Sequence, residues 1–307
     1  VTEAKNVVRT AVVRIPGGPD AIEVIEVPVA DPGPGEVRVR VAAASVNPVD
    51  LAVAGGVFHT MGAIDQPEHT GLGWDFAGTV EAVGPGAGFA PGARVAGLVP
   101  GFDRDFGTYA ELLVVPGADL AEVPDGVGLT EAATVPLNAL TAAQIADLLG
   151  DAPAESDRLL VTGAAGAVGG HLAVLAQERG WPVTGLARPA DADFVRARGA
   201  AFTDRAEPGW DAVADTAALK ADALALVRDG GSYVGVLPGG APDAERGIMV
   251  RTVSVTPDGA RLAGLLARTA TGELPARVQE VLPLERAADA HRAMAKGGVR
   301  GRIVLTP

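Results

Sequence analysis

The segment from Arg158 to Gly180, RLLVTGAAGAVGGHLAVLAQERG, constrains the fold more than any other stretch. Leu159, Leu160 and Val161 make a short apolar run, the mark of a strand buried on both faces. Gly163, Gly166 and Gly169 follow at intervals of three. At such a turn a sharp bend, a close approach of backbone to a diphosphate, and tight helix–strand packing each call for a residue without a side chain. A helix comes next, with Val168, Leu172, Leu175 and Ala176 on one face and a stop at Gly180. Its unpaired N–H groups and positive dipole end face the turn and favour an anion. Small residues also occur wherever a helix crosses a strand closely, but the strand–turn–helix context points to a nucleotide. No Lys-Ser/Thr pair follows the last glycine. The phosphate loop of ATPases is therefore a poor match and a dinucleotide a better one.

The next strand, Val183–Ala187, ends about twenty residues beyond the start of the turn, where an NAD site places an Asp or Glu on the ribose hydroxyls. This chain has Ala187 and then Arg188. An acid would repel a 2′-phosphate, whereas a guanidinium pairs with it. The expected cofactor is thus NADPH rather than NADH; the plain alternative for Arg188 is a solvated loop residue.

A chain of 307 residues is long enough for two domains with real cores. Its N-terminus shows no basic–apolar–cleavable pattern, and no apolar run reaches membrane-spanning length. A cytoplasmic protein is the expectation. The absence of cysteine excludes disulfides, iron–sulfur clusters, thiolate zinc sites and a cysteine nucleophile. The net charge of −13 argues against a nucleic-acid partner.

Residues 1–124 read as many short strands separated by Gly/Pro turns, which suggests a compact β-barrel. Val7–Arg14 and Ile22–Val27 flank the turn at 16–19. Glu36–Val41 alternates strictly, and further strands are expected at 78–83, 94–98 and 107–115. From 129 to 149 the spacing is helical, interrupted at Pro136, with Thr130 as the expected N-cap. Residues 158–255 alternate strands and helices, the pattern of a parallel sheet. Strands are expected near 158–162, 182–187, 201–203, 211–215, 232–237 and 248–255. From about 275 the pattern reverts: a strand at 278–282, a helix at 285–296, a strand at 302–305. The expected organisation is an α/β protein. A β-barrel domain (1–124 and 275–307) is interrupted by a doubly wound parallel-sheet domain (125–274).

Several segments, in order, resemble the medium-chain dehydrogenase/reductase superfamily, and within it the zinc-free quinone oxidoreductase (zeta-crystallin-like) branch. They are Ser45–Asp50 (SVNPVD), Gly73–Val80 (GWDFAGTV), Val83–Val95 (VGPGAGFAPGARV), Gly107–Glu111, Leu140–Gln144, Thr162–Gly170 and Gly301–Pro307. The resemblance spans nearly the whole chain. It implies a GroES-like β-barrel catalytic domain, an inserted Rossmann domain, a cleft between them, and commonly a homodimer. It also implies hydride transfer from NADPH to a quinone or the C=C bond of an α,β-unsaturated carbonyl. A polyketide-type enone is one version, without a diagnostic residue of its own. The atypical short-chain reductases share the glycine turn. They begin with it, however, and many carry Tyr-x-x-x-Lys; here Tyr109 and Tyr233 are each followed, four positions later, by leucine.

By resemblance, Asn47 belongs at the nicotinamide end of the cleft and Thr141 contacts the cofactor. Gly163, Ala165, Gly166, Ala167 and Val168 face the diphosphate, and Leu237 meets the carboxamide. Taken alone, Asn47 is also a turn residue before a proline, and Thr141 a mid-helix hydroxyl bonded to its own backbone. Relatives often carry tyrosines where this chain has Ala52 and Phe58, so the expected proton source is water, with His59 as a candidate. The plain alternative for His59 is an exposed loop residue. Asp75 reads as structural, and Trp74 and Phe76 as core. His69, His171 and His291 show no ligand spacing, so no metal site is expected. Phe58, Met61, Phe102 and Phe106, in loop-like stretches, either line an aromatic-binding pocket or form a satellite core. The alternative function is a non-catalytic NADPH-binding protein, structural or sensing, on the same fold. Tight NADPH binding without turnover would identify it.

Overall fold

The computed structural model describes residues 7–154, 157–236 and 240–307. Its contacts divide the chain into two units, residues 1–137 with 257–307, and residues 138–256.

The first unit opens with β1 (Val7–Val13) and β2 (Ile22–Pro28), an antiparallel pair. In β3 (Glu36–Ser45) Val37, Val39 and Val41 point inward while Arg38 and Arg40 alternate with them. This is the period-two pattern that buries one face of a strand. Helices α1 (Pro48–Ala54) and α2 (Val57–Thr60) follow, then β4 (Thr70–Gly71), which joins β1 and β2 in a three-stranded sheet. β5 (Asp75–Val83), β6 (Arg94–Leu98), β7 (Leu112–Pro116) and β8 (Leu120–Glu122) build the larger sheet with β3.

The strand expected at 107–115 begins only at Leu112. Residues 107–111 cross between two partners instead: Thr108 and Tyr109 N–H donate to Gly73 and Leu72, while the Tyr109 carbonyl accepts from Ala11. α3 (Leu129–Ala132) is capped at Gly128, not at Thr130. The Glu131 carboxylate accepts the Gly128 N–H at 2.8 Å, which starts the helix two residues earlier than a Thr130 cap would. α4 (Pro136–Leu149) starts at its proline, whose missing N–H costs nothing there.

In the second unit β9 (Leu159–Thr162), α5 (Ala167–Gln177), β10 (Val183–Leu186), α6 (Ala192–Arg196), β11 (Ala201–Thr203), β12 (Trp210–Asp215), α7 (Ala221–Leu224), β13 (Val227–Gly235) and β14 (Met249–Thr252) alternate. All five strand pairings are parallel, in the order β11-β10-β9-β12-β13-β14. This is the doubly wound order in which the sheet reverses direction between its first and fourth strands, here β9 and β12.

The chain then returns to the first unit with α8 (Gly259–Ala270), β15 (Val278–Pro283), α9 (Ala287–Ala295) and β16 (Arg302–Thr306). The large sheet runs β15-β16-β3-β5-β6-β8, with β7 also paired to β3. Residues 125–137 and 257–274, grouped by the sequence pattern with the parallel sheet, fall in the first unit. α8 buries Leu262, Leu265 and Leu266 and packs on β8. Its N-cap Asp258 accepts the Arg261 N–H at 2.8 Å. Asp258→Ala should lower stability by about 1 kcal/mol in urea unfolding.

Candidate functional site

The glycine turn lies where β9 ends and α5 begins. Gly163 has φ +62°, a conformation a side chain disfavours. A Cβ on Gly169 would stand 2.4 Å from the Gly163 carbonyl oxygen, so this glycine lets the helix pack on the turn. Gly166 differs: its Cβ would meet only that same carbonyl, at 3.0 Å. Gly166 is the N-cap of α5 and offers no side chain to the first helical N–H groups. Uncapped donors with a positive dipole end fit a diphosphate. Ala165 lies in the turn, Ala167 and Val168 open α5, and Thr141 lies buried on α4. Leu237 is outside the described residues.

Arg188 follows β10 at the head of a 3-10 turn. Its side chain is 59% exposed, and its Nε donates to Asp191 at 3.2 Å. Asp191 is buried. The sequence reading did not flag this acid, because it lies five residues beyond the end of β10 rather than at it.

In the first unit the polar groups are buried together. Asp75 is fully buried: its Oδ2 accepts from Ser45 Oγ at 2.9 Å and Asn47 Nδ2 at 3.1 Å, and its Oδ1 from Leu137 N–H at 2.7 Å. Asp50, also fully buried, accepts from Asn47 N–H at 2.8 Å, Gly73 N–H at 3.0 Å and Tyr109 Oη at 3.1 Å. Tyr109 Oη also meets His291 Nε2 at 3.4 Å. Burial pushes Asp75 up to about 7, against the bonds from Ser45, Leu137 and Asn47. It pushes Asp50 up to about 6, against the bond from Asn47 and the nearby charge of Arg104. The same burial takes His291 down to about 4 and Arg104 down to about 10. Asn47 is fully buried as the N-cap of α1; Asp75 and Ser45 hold its amide nitrogen, while its Oδ1 has no partner.

His59 sits on α2, not in an open loop, and its Nε2 meets Thr70 Oγ at 3.3 Å. Phe58 stacks on Phe102 at 3.8 Å, with Trp74 tilted against Phe102 at 5.5 Å. Phe106 and Met61 are largely exposed, so the four aromatic and Met side chains singled out in the sequence do not form one cluster. Trp74 and Phe76 are buried. Arg104, unmarked in the sequence, donates to the carbonyls of Val99 and Gly73 and lies over Trp74. Among the described residues no three His, Asp or Glu side chains come together as metal ligands, and no helix is long and apolar enough to cross a membrane.

Comparison with known proteins places this architecture. The alcohol dehydrogenase GroES-like domain matches residues 33–125, and the zinc-binding dehydrogenase family matches residues 189–305. The chain is 32% identical over 305 residues to the pikromycin polyketide synthase component PikAII of Streptomyces venezuelae, across 89% of this chain but 8% of that protein. The chain therefore spans under a tenth of that relative's length. It is 30% identical to a probable mitochondrial zinc-binding oxidoreductase of Arthroderma benhamiae, across 88% of each. It is 27% identical to a chloroplast envelope quinone oxidoreductase homolog of Arabidopsis thaliana, across 95% of each. The solved quinone oxidoreductase of Coxiella burnetii shares the fold, with a TM-score of 0.83 at 21% identity over 98% of this chain and 99% of that one. An NAD-dependent alcohol dehydrogenase has a TM-score of 0.81 at 31% identity over 97% and 99%. The chain has no cysteine, so zinc, named in one family description, would find no thiolate ligand in it. With both domains recognised and a relative matched along 88% of its length, the chain belongs to the medium-chain dehydrogenase/reductase superfamily of nicotinamide-dependent oxidoreductases, carrying its GroES-like domain and its Rossmann-type parallel sheet.

Proposed function

We propose that this protein transfers a hydride from NADPH to a quinone or to the C=C bond of an α,β-unsaturated carbonyl, without zinc. The observation that carries the reading is the pairing of an uncapped α5 N-terminus at the glycine turn with Arg188, rather than an acid, directly after β10. When bound, the nicotinamide supplies the hydride. The chain's own groups do the rest. The first-turn N–H groups of α5 neutralise the diphosphate, and the Arg188 guanidinium pairs with the 2′-phosphate. Asn47 is held in one rotamer by Asp75 and Ser45, which take its amide hydrogens, and its free Oδ1 is left as an acceptor that orients a donor group of the cofactor or a water. With no phenol at Ala52 or Phe58, the proton is delivered by water or by His59. The polyketide synthase and quinone oxidoreductase relatives support the two acceptor classes in parallel. A homodimer in the cytoplasm remains part of this proposal.

The test follows oxidation of NADPH and of NADH optically with 1,4-benzoquinone, 9,10-phenanthrenequinone and a simple enone. Turnover with NADPH on at least one acceptor is the expected result. Preference for NADH would instead align the chain with the NAD-dependent alcohol dehydrogenase it resembles. Tight NADPH binding with no turnover on any acceptor would favour a non-catalytic binding protein. His59→Gln should reduce kcat several-fold if His59 relays the proton; an unchanged kcat leaves water as the source.

A further inference from the structure

The loop that leaves β12 holds two backbone conformations that L-residues rarely adopt. Ala218 has φ +57°, and Lys220 has φ +57° with ψ −114°. Such conformations persist only where the surroundings enforce them, and they gather at functional sites. Here the enforcement traces to one side chain. Asp215, fully buried at the end of β12, accepts the N–H groups of Leu219 at 3.0 Å and Lys220 at 2.8 Å. Its remaining bonds come from hydroxyls on the two neighbouring strands, Thr162 Oγ at 2.6 Å and Tyr233 Oη at 2.9 Å.

The same loop lies against the glycine turn. Thr216 Oγ donates to the Thr162 carbonyl, and Ala217 N–H donates to Thr162 Oγ at 3.1 Å. A Cβ on Gly163 would stand 3.1 Å from Ala217 Cβ, and one on Gly169 would stand 2.8 Å from Thr216 Oγ. β9 and β12 are the strands between which the sheet order reverses, and a crevice for ligand opens at the carboxyl ends of such a pair.

We infer that Asp215 is a positioning residue for cofactor binding: it holds loop 216–220 in a strained shape that forms the second wall of the diphosphate cradle. The inference rests on the reading that the 163–169 turn holds a nicotinamide dinucleotide. Asp215 is itself buried and acts through the amides of Leu219 and Lys220 and the hydroxyl of Thr162. A carboxylate that served stability alone would show no link between cofactor affinity and the dihedral preferences of Ala218 and Lys220.

That link is the test. Asp215→Asn keeps the volume but turns one acceptor into a donor, so it cannot receive all four bonds. In calorimetric titrations Asp215→Asn should raise the Kd for NADPH about tenfold. It should also speed amide hydrogen exchange at Leu219 and Lys220 in the cofactor-free protein. Adding Ala218→Gly and Lys220→Gly to Asp215→Asn should return most of the lost affinity, because glycine adopts positive φ without steric cost. Thr162→Val and Tyr233→Phe, milder changes for the case that Asp215→Asn does not fold, should each raise the Kd about threefold and be rescued by the same glycine pair. Wild-type affinity in Asp215→Asn, or no recovery with the glycine pair, overturns the inference while leaving the cofactor reading standing. A wild-type chain that binds neither NADPH nor NADH overturns the cofactor reading and this inference with it.

Discussion

Replacing Arg188 by alanine should weaken NADPH binding about 10- to 100-fold while NADH binding stays within about twofold. A hydrogen bond between a guanidinium and a phosphate contributes about 1.5–3 kcal/mol, and each 1.4 kcal/mol is a factor of ten in affinity. NADH has no 2′-phosphate and loses nothing comparable. Asp191 tempers this effect, because it already accepts from Arg188 Nε at 3.2 Å. Asp191→Asn should therefore tighten NADPH binding a few-fold by removing the competing charge. Arg188→Asp should go further than alanine and reverse the preference, since it places an acid where ribose hydroxyls are held in NAD sites. The measurement is calorimetric titration of each variant with both cofactors. Equal losses for NADPH and NADH would defeat the assignment of Arg188 to the 2′-phosphate.

Asp75→Ala should cost about 3–5 kcal/mol of stability in urea unfolding. It strips the acceptor from three buried donors, Ser45 Oγ, Asn47 Nδ2 and Leu137 N–H. Each orphaned donor costs about 1–3 kcal/mol. It also removes the negative charge that offsets the buried Arg302 guanidinium, whose pKa burial lowers. Asp75→Asn should cost less, because one carbonyl oxygen can still receive the Leu137 N–H.

The same carboxylate sets a pH dependence. Its pKa is raised from 3.8 to about 7 on folding. Between those values the folded chain keeps a proton that the unfolded chain has released. The resulting stabilisation is fully present below the unfolded value and is lost as pH rises through about 7. Asp50, raised to about 6, adds to this trend at lower pH. His291 opposes it. Its pKa falls from 6.5 to about 4 on folding, so its contribution grows as pH rises through that interval. Comparison with Asp75→Asn isolates the one group. Between pH 5.5 and 8 the wild type should lose about 2 kcal/mol relative to that variant. Parallel stability profiles for the two proteins would show that Asp75 does not titrate in this range.

Much of the fold could be read from local pattern. Val37, Val39 and Val41 alternate with arginines, and a strand with one buried face has no other way to satisfy that spacing. The apolar run at 159–161 with glycines behind it produced a strand, a turn and a helix within a residue or two of expectation. The misplaced features have physical reasons. Gly107–Glu111 has the composition of a strand, but its backbone donors were claimed by Leu72 and Gly73. Thr130 had the chemistry of a cap, but Glu131 reached back to Gly128 first.

The candidate site was legible only in its cradle. The glycine turn is a contiguous stretch whose spacing carries its own geometry. The buried network had no such signature. Tyr109 meets Asp50 across 59 positions and His291 across 182, and Thr162 meets Asp215 across 53. Asp75 could be called structural from the sequence, but not that it holds Asn47.

Residue order alone determined the periodicities, the turns and the glycine corner between β9 and α5, because each depends on neighbours a few positions apart. Tertiary structure decided which buried acids share donors, which loop is held in strain by Asp215, and how far Asp191 restrains Arg188. Those outcomes follow from the need of every buried polar group for a partner, and that partner comes from whichever distant segment the packing brings near.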